Sequence, residues 1–160
     1  MGISKFSSLF AVSTNARDSE GVGVNVTWSY SNKNESTLVT MVVKNLENQH
    51  WAALGLSITG KMAETHVFVV QYFADNTIDI KRMINPHKHD RPIDAPPGSG
   101  GLFTVVGTKL ENNLITGQFE LSNFTDSTFS RPQQEINDIL PLNQTGLYHP
   151  LVATGRLDGT

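Results

Sequence analysis

The sequence predicts an all-β protein, either an antiparallel sandwich or a closed barrel. About eight segments alternate apolar and polar residues in the strand manner and are rich in β-branched side chains. Short clusters of Asn, Asp, Gly and Ser separate them at the spacing expected of sandwiches and barrels. The 160 residues show no break in composition, which fits one domain, and a chain of that size buries about 68–70% of its unfolded surface.

The first clear strand runs from Val22 to Tyr30, with Val22, Val24, Val26 and Trp28 on one face and Asn25, Thr27 and Ser29 on the other. Ser36 to Asn45 follows after the turn-forming Ser31 to Glu35, which predicts a hairpin. Trp51 to Ile58 and Thr65 to Phe73 continue the series. The tight turn Ala74-Asp75-Asn76 leads into a strand over Thr77 to Met83. Gly101 to Asn112 and Leu114 to Ser122 flank a turn at Glu111-Asn112-Asn113, and Tyr148 to Gly155 is the last strand. Two segments depart from this pattern. Arg131 to Leu142 carries Ile136, Ile139 and Leu140 at helical spacing and predicts one short helical segment. Asn85 to Gly101 is rich in proline and glycine, predicting a long irregular loop over one end of the sandwich. Loops of that length in compact domains are usually functional or disordered.

Charge and composition exclude several classes. A formal charge of −3 argues against a nucleic-acid surface. The longest apolar runs, such as Val67 to Val70, are far short of the ~20 residues of a membrane helix, so a soluble domain is expected. The absence of cysteine removes disulfides, zinc–thiolate sites, iron–sulfur clusters, cysteine nucleophiles and covalent haem attachment. Four asparagines, Asn25, Asn34, Asn123 and Asn143, stand in Asn-x-Ser/Thr acceptor patterns, a modest excess that points to a secreted or cell-surface glycoprotein. The first ten residues lack the basic and apolar regions of a signal peptide. Secretion therefore implies a mature domain cut from a longer precursor, and the alternative is that the chain is not secreted.

No P-loop, dinucleotide fingerprint, nucleophile elbow or H-E-x-x-H pattern occurs, so a module without bond chemistry of its own is expected. The informative polar residues are five histidines and one methionine. His87-Lys88-His89, with Asp90 beside them, is a conceivable metal pair or a solvated polar loop. His66 reads as a surface or rim residue, His50 as a turn residue, and His149 by default as a structural histidine opening the last strand. Met62 closes a polar turn, among Gly60, Lys61, Ala63 and Glu64, where a core-filling methionine is out of place. A thioether and an imidazole form the axial pair of many haem electron-transfer proteins, so Met62 and His149 together are a candidate iron-ligand pair. With no cysteine, such a haem is non-covalent, hence b-type.

The run Trp51 to Tyr72, "WAALGLSITGKMAETHVFVVQY", resembles the core pattern of DOMON domains, extracellular modules named from dopamine β-monooxygenase. That pattern has an aromatic strand residue, an A-x-G-x-S-like run, a methionine after a short turn, and a valine-rich strand. Trp51, Gly55, Ser57, Met62 and "HVFVV" fill those places. The later "DRPIDAPPG" and "YHPLVATG" are similar too, and the likeness covers Val22 to Gly155. His66 stands where many members carry Asp, and the disulfide of several secreted members is missing here. The resemblance implies an immunoglobulin-like antiparallel β-sandwich. It further implies non-covalent haem b held by Met62 and His149, with electrons passed to or from a redox partner domain or protein, as in the cytochrome domain of cellobiose dehydrogenase and ferric-reductase-like proteins. Trp51, Phe68, Tyr72, Phe103 and Tyr148 are candidates to line the haem pocket, each with core packing as its alternative. Lys61, Arg82, Arg91 and Tyr72 are candidates for the propionates. The competing expectation is a haem-free extracellular module that binds carbohydrate or another small ligand through its aromatic residues and long loop.

Overall fold

The computed structural model describes residues 12–14, 21–31, 33–57, 59–86, 92–96, 100–122, 142 and 148–158. The described residues contain ten β-strands and no helix. They are β1 (Val12–Thr14), β2 (Gly23–Ser31), β3 (Ser36–Lys44), β4 (His50–Ser57), β5 (Thr65–Tyr72), β6 (Ile78–Asn85), β7 (Ile93–Asp94), β8 (Leu102–Glu111), β9 (Leu114–Ser122) and β10 (His149–Arg156). They build two antiparallel five-stranded sheets, ordered β1-β2-β3-β9-β8 and β10-β4-β5-β6-β7. This is an all-β sandwich, one of the two architectures that the alternation predicts and the one that the resemblance implies. The expected helical segment at 131–142 lies outside the described residues apart from Leu142.

Local sequence explains the connections. The β2–β3 hairpin pairs Ser31 with Ser36, and Glu35 takes the left-handed conformation in the turn. Asn112 and Asn113 both have positive φ between β8 and β9, as a two-residue hairpin turn requires, and asparagine tolerates that region. Between β5 and β6, Asp75 Oδ1 accepts from the Thr77 amide at 3.0 Å and the Thr77 hydroxyl at 2.6 Å. These bonds stabilise the carboxylate and hold Asp75 below its ordinary pKa.

One core lies between the sheets. The first sheet contributes Val24, Val26, Val39, Met41, Val43, Ile115, Phe119 and Leu121, the second Ala52, Leu54, Leu56, Phe68, Val70 and Ile80. Phe68 of the second sheet stacks on Phe119 with ring centroids 4.7 Å apart and leans on Phe103 at 6.0 Å. These offset contacts tie the two sheets together across the sandwich.

Three expectations need correcting. The loop from Asn85 to Gly101 is not wholly irregular, because Ile93 and Asp94 pair with Ile84 and Met83 as a short edge strand. His66 is no rim residue. It sits on the inward face of β5, fully buried, with its ring edge-on to Tyr148 at 6.3 Å. The apolar run around it is covered on both faces, so alternation along it carries no contrast. His50 is the first residue of β4, half-buried, with Nδ1 at 3.0 Å from the Asn48 carbonyl, so it belongs to the strand and not to the turn before it.

At the far edge of the first sheet, β8 leaves Leu102, Val105, Val106 and Leu110 exposed. Its pairing with β9 slips between Val105 and Gly107, which leaves Val106 unmatched in a β-bulge. Core and edge should therefore respond differently to truncation. Phe119→Ala is expected to lower stability by about 3–5 kcal/mol, whereas Val105→Ala changes it by about 0.5 kcal/mol or less, both read from urea unfolding midpoints.

Candidate cofactor site

Directly opposed residues of antiparallel strands share a face, so the pairing register sorts the second sheet into two surfaces. Even-numbered residues of β4, β5, β6 and β10 point between the sheets, and odd-numbered ones point outward in cross-strand rows. From one end, the outward rows are His149, Ser57, Thr65 and Asn85, then Leu151, Gly55, Val67 and Met83. Ala153, Ala53, Val69 and Lys81 come next, followed by Gly155, Trp51, Gln71 and Asp79.

The middle of this outer face is apolar. Ala53, Val67 and Val69 are buried there, with Trp51 and Met83 packed against them, forming a second cluster separate from the inter-sheet core. They floor a groove of about 540 Å³. Cofactor and small-molecule sites span about 300–1,000 Å³, so the groove has room for one. Gly55 keeps the floor open, since a Cβ there would come within 2.8 Å of Thr65 Cγ2 and 3.5 Å of Leu151 Cβ. At the opposite end the Trp51 indole lies over Gly155, where a Cβ would approach the ring to 2.7 Å, and its Nε1–H donates to the Arg156 carbonyl at 3.0 Å. Two buried amide oxygens that line the groove, Asn85 Oδ1 and Gln71 Oε1, have no hydrogen-bond partner among the described residues.

Met62 stands at the mouth of this groove, 55% exposed, on the turn that joins β4 to β5. Side chains hold that turn firmly. The Gly60 amide donates to Ser57 Oγ at 2.9 Å, and Ser57 Oγ donates to the Lys61 carbonyl at 2.7 Å. Thr65 Oγ1 lies within donating distance of the Lys61 and Ala63 carbonyls, at 3.1 and 3.2 Å. Asn85 Nδ2 donates to the Met62 carbonyl itself. Gly60 has φ +80°, where a side chain is strained, and a Cβ at Gly60 would meet the His149 ring at 3.6 Å. His149, exposed at the start of β10, thus stands against the turn that carries Met62.

The structure therefore brings Met62, His149 and Trp51 to one outer face. It places the other aromatic candidates elsewhere. Phe68, Phe103 and Tyr148 pack in the inter-sheet core, and Tyr72 sits at its margin with its hydroxyl donating to Asn76 Oδ1 at 3.1 Å. Arg82 also points inward. Its Nη1 donates to the Gly101 carbonyl at 3.3 Å, and burial pushes its pKa down to about 10, opposed by the Tyr148 charge. Lys61 is exposed on the Met62 turn, while His87, His89, Asp90 and Arg91 lie outside the described residues. Among the described residues, no three His, Asp, Glu or Cys side chains converge on a metal position. Sequence reasoning missed Thr65, Asn85, Gln71 and Arg156, and marked Ser57 only as part of the family pattern. Pairing β4 with β5 symmetrically about the turn sets Ser57 opposite Thr65, and that signal was available.

The arrangement is that of a two-sheet β-sandwich with an apolar, ligand-sized groove on one outer face, lined at one end by the Met62 thioether, with His149 in the outermost row of the same face beside the Met62 turn. Its fold is similar to the solved cytochrome domain of Myriococcum thermophilum cellobiose dehydrogenase, with a TM-score of 0.54 over 91% of this chain and 76% of that chain. The two sequences are 10% identical, so the likeness establishes the fold alone. No known protein-family profile matches this sequence. No curated protein matches it either.

Room in the groove floor is measurable by substitution. Gly55→Ala is expected to lower stability by about 1–3 kcal/mol through overpacking against Thr65 and Leu151. Gly23→Ala, where a Cβ meets only Lys44 Cβ at 3.9 Å, is expected to be neutral or stabilising by up to about 1 kcal/mol. Guanidinium unfolding of the two variants checks the contrast.

Proposed function

We propose that this protein is a b-type haem electron-transfer module that binds haem non-covalently in the outer groove, with Met62 and His149 as axial ligands. The observation that carries the reading is the register of β4, β5 and β10. It sets the Met62 turn and His149 at the same end of the same apolar face. The open floor at Gly55, the apolar walls and the thioether–imidazole pair all fit a flat, apolar, iron-bearing group. Similarity in fold to a cytochrome domain supports the same reading.

Bound there, haem supplies a one-electron Fe(II)/Fe(III) couple. Met62 offers a soft sulfur that favours the reduced iron and raises the potential, and His149 offers the harder nitrogen. Ala53, Val67, Val69 and Leu151 keep water from the groove floor, which raises the cost of the more highly charged oxidised state. Because Met62 and His149 would both be taken up in holding the iron, the group would supply electron transfer and no site for oxygen or substrate. The module then passes electrons to or from a partner domain or protein and performs no bond chemistry. Lys81 projects from this face in the row of Val69, and Lys61 stands on the turn at its mouth; these are the candidates to meet the propionates. The exposed acceptor asparagines Asn25 and Asn34 support an extracellular setting.

A second reading, a haem-free carbohydrate- or small-ligand-binding module, draws on the other end of the groove. There Trp51 shares the groove lining with its cross-strand partner Gln71 and with Arg156 and Asp158.

Absorption spectroscopy of the protein reconstituted with haemin separates the two. A sharp Soret band, with narrow α and β bands on reduction, is expected of the six-coordinate centre. Met62→Ala and His149→Ala should each abolish that low-spin spectrum. A colourless protein after reconstitution, or two variants that retain the wild-type spectrum, overturns the assignment; glycan binding by the colourless protein favours the second reading.

A further inference from the structure

The outermost row of the second sheet is polar, although the next two rows inward are mostly apolar. Ser57, Thr65 and Asn85 stand side by side on β4, β5 and β6, and all three are nearly buried. Each bonds the backbone of one turn. Ser57 bonds the Lys61 carbonyl, Asn85 the Met62 carbonyl, and Thr65 the Lys61 and Ala63 carbonyls. Three consecutive carbonyls around Met62 are therefore held from three different strands. A loop whose only duty is to reverse the chain has no need of this, because exposed carbonyls are satisfied by water. The fourth member of the row is His149, whose ring stands against Gly60 in the same turn.

Asn85 differs from its two neighbours. Ser57 and Thr65 flank the turn in sequence and form local bonds of a common kind, whereas Asn85 reaches it from the next strand, 23 residues away. Its amide nitrogen donates to the Met62 carbonyl. It therefore fixes the peptide on the C-terminal side of Met62 relative to the sheet that floors the groove.

We infer that Asn85 is a positioning residue for Met62, clamping the turn so that the thioether is held over the groove whether or not a ligand is bound. The inference rests on the haem reading for its purpose but not for its geometry. If haem binds, a preset sulfur would need no recruitment, and the clamp would favour methionine over water as a donor to the iron.

Two substitutions test it. Asn85→Asp keeps the shape and replaces the donor by an oxygen facing the Met62 carbonyl, and Asn85→Leu removes the polar groups and serves if the buried carboxylate prevents folding. The first readout needs no haem: the Met62 methyl resonance in methyl-labelled protein, with the buried Met41 methyl as internal control. Met62 is expected to move toward the position of a free methionine peptide while Met41 stays in place. The second readout is the haemin-loaded protein, in which the sulfur-to-Fe(III) charge-transfer band is expected to be lost and the midpoint potential to fall. An unmoved Met62 methyl in the folded variant overturns the clamp whatever haem does. A moved methyl with the band and potential retained overturns the positioning role. Wild-type protein that takes up no haem defeats the haem reading, and the methyl shift alone then decides the clamp.

Discussion

The pairing register of β4 with its two neighbours is the constraint on which the rest of the structure depends. Side chains alternate with a period of two, so a slip of one residue would exchange the two faces of the strand. Leu54 and Leu56 would leave the core, and Trp51, Ala53 and Gly55 would enter it. Because both faces of β4 and β5 are covered, such a slip meets resistance twice, once from the inter-sheet aromatics and once from the outer cluster. This double burial is unusual for an antiparallel sheet, which commonly keeps one face in water. Here it fixes the outer surface as firmly as the core.

The same register explains which features were legible in the sequence. Strands with one wet face, such as β2 and β9, announce themselves by alternation, and their inward residues are readable one by one. The hairpin turns are readable as well, because Asn112-Asn113 and Asp75-Asn76 have the chemistry for the backbone they adopt. The run from Thr65 to Val70 marks a strand but hides its orientation, since apolar residues point both ways. His66 was misread for that reason, as it occupies an inward position that sequence contrast does not mark. The aromatic candidates follow the same logic. Phe68 and Trp51 look equally suited to line a pocket until pairing sends one inward and the other outward.

Met62 was legible as an anomaly, an apolar side chain closing a polar turn. What holds it was not legible, because its support comes from three strands at once. Ser57 and Thr65 lie at the ends of the turn, and only the third strand shows that they belong to one row with Asn85. A feature of this kind lives in the sheet and not in any one segment. The two parts of the site thus have different origins: the groove floor is made by small and β-branched residues that also stiffen the sheet, and its mouth is made by a hydrogen-bonded row that contributes little to the core.

The irregularity in β8 has a consequence of another sort. An exposed outer strand with Leu102, Val105, Val106 and Leu110 is the kind of border on which a second chain can continue the ladder, and successive additions of that sort lead to fibrils. The bulge at Val106 throws the row of free amides and carbonyls out of step partway along the strand. An incoming chain in straight β conformation meets matched donors and acceptors over only part of its length. What reads locally as a defect in pairing thus opposes continuation of the ladder along this apolar border.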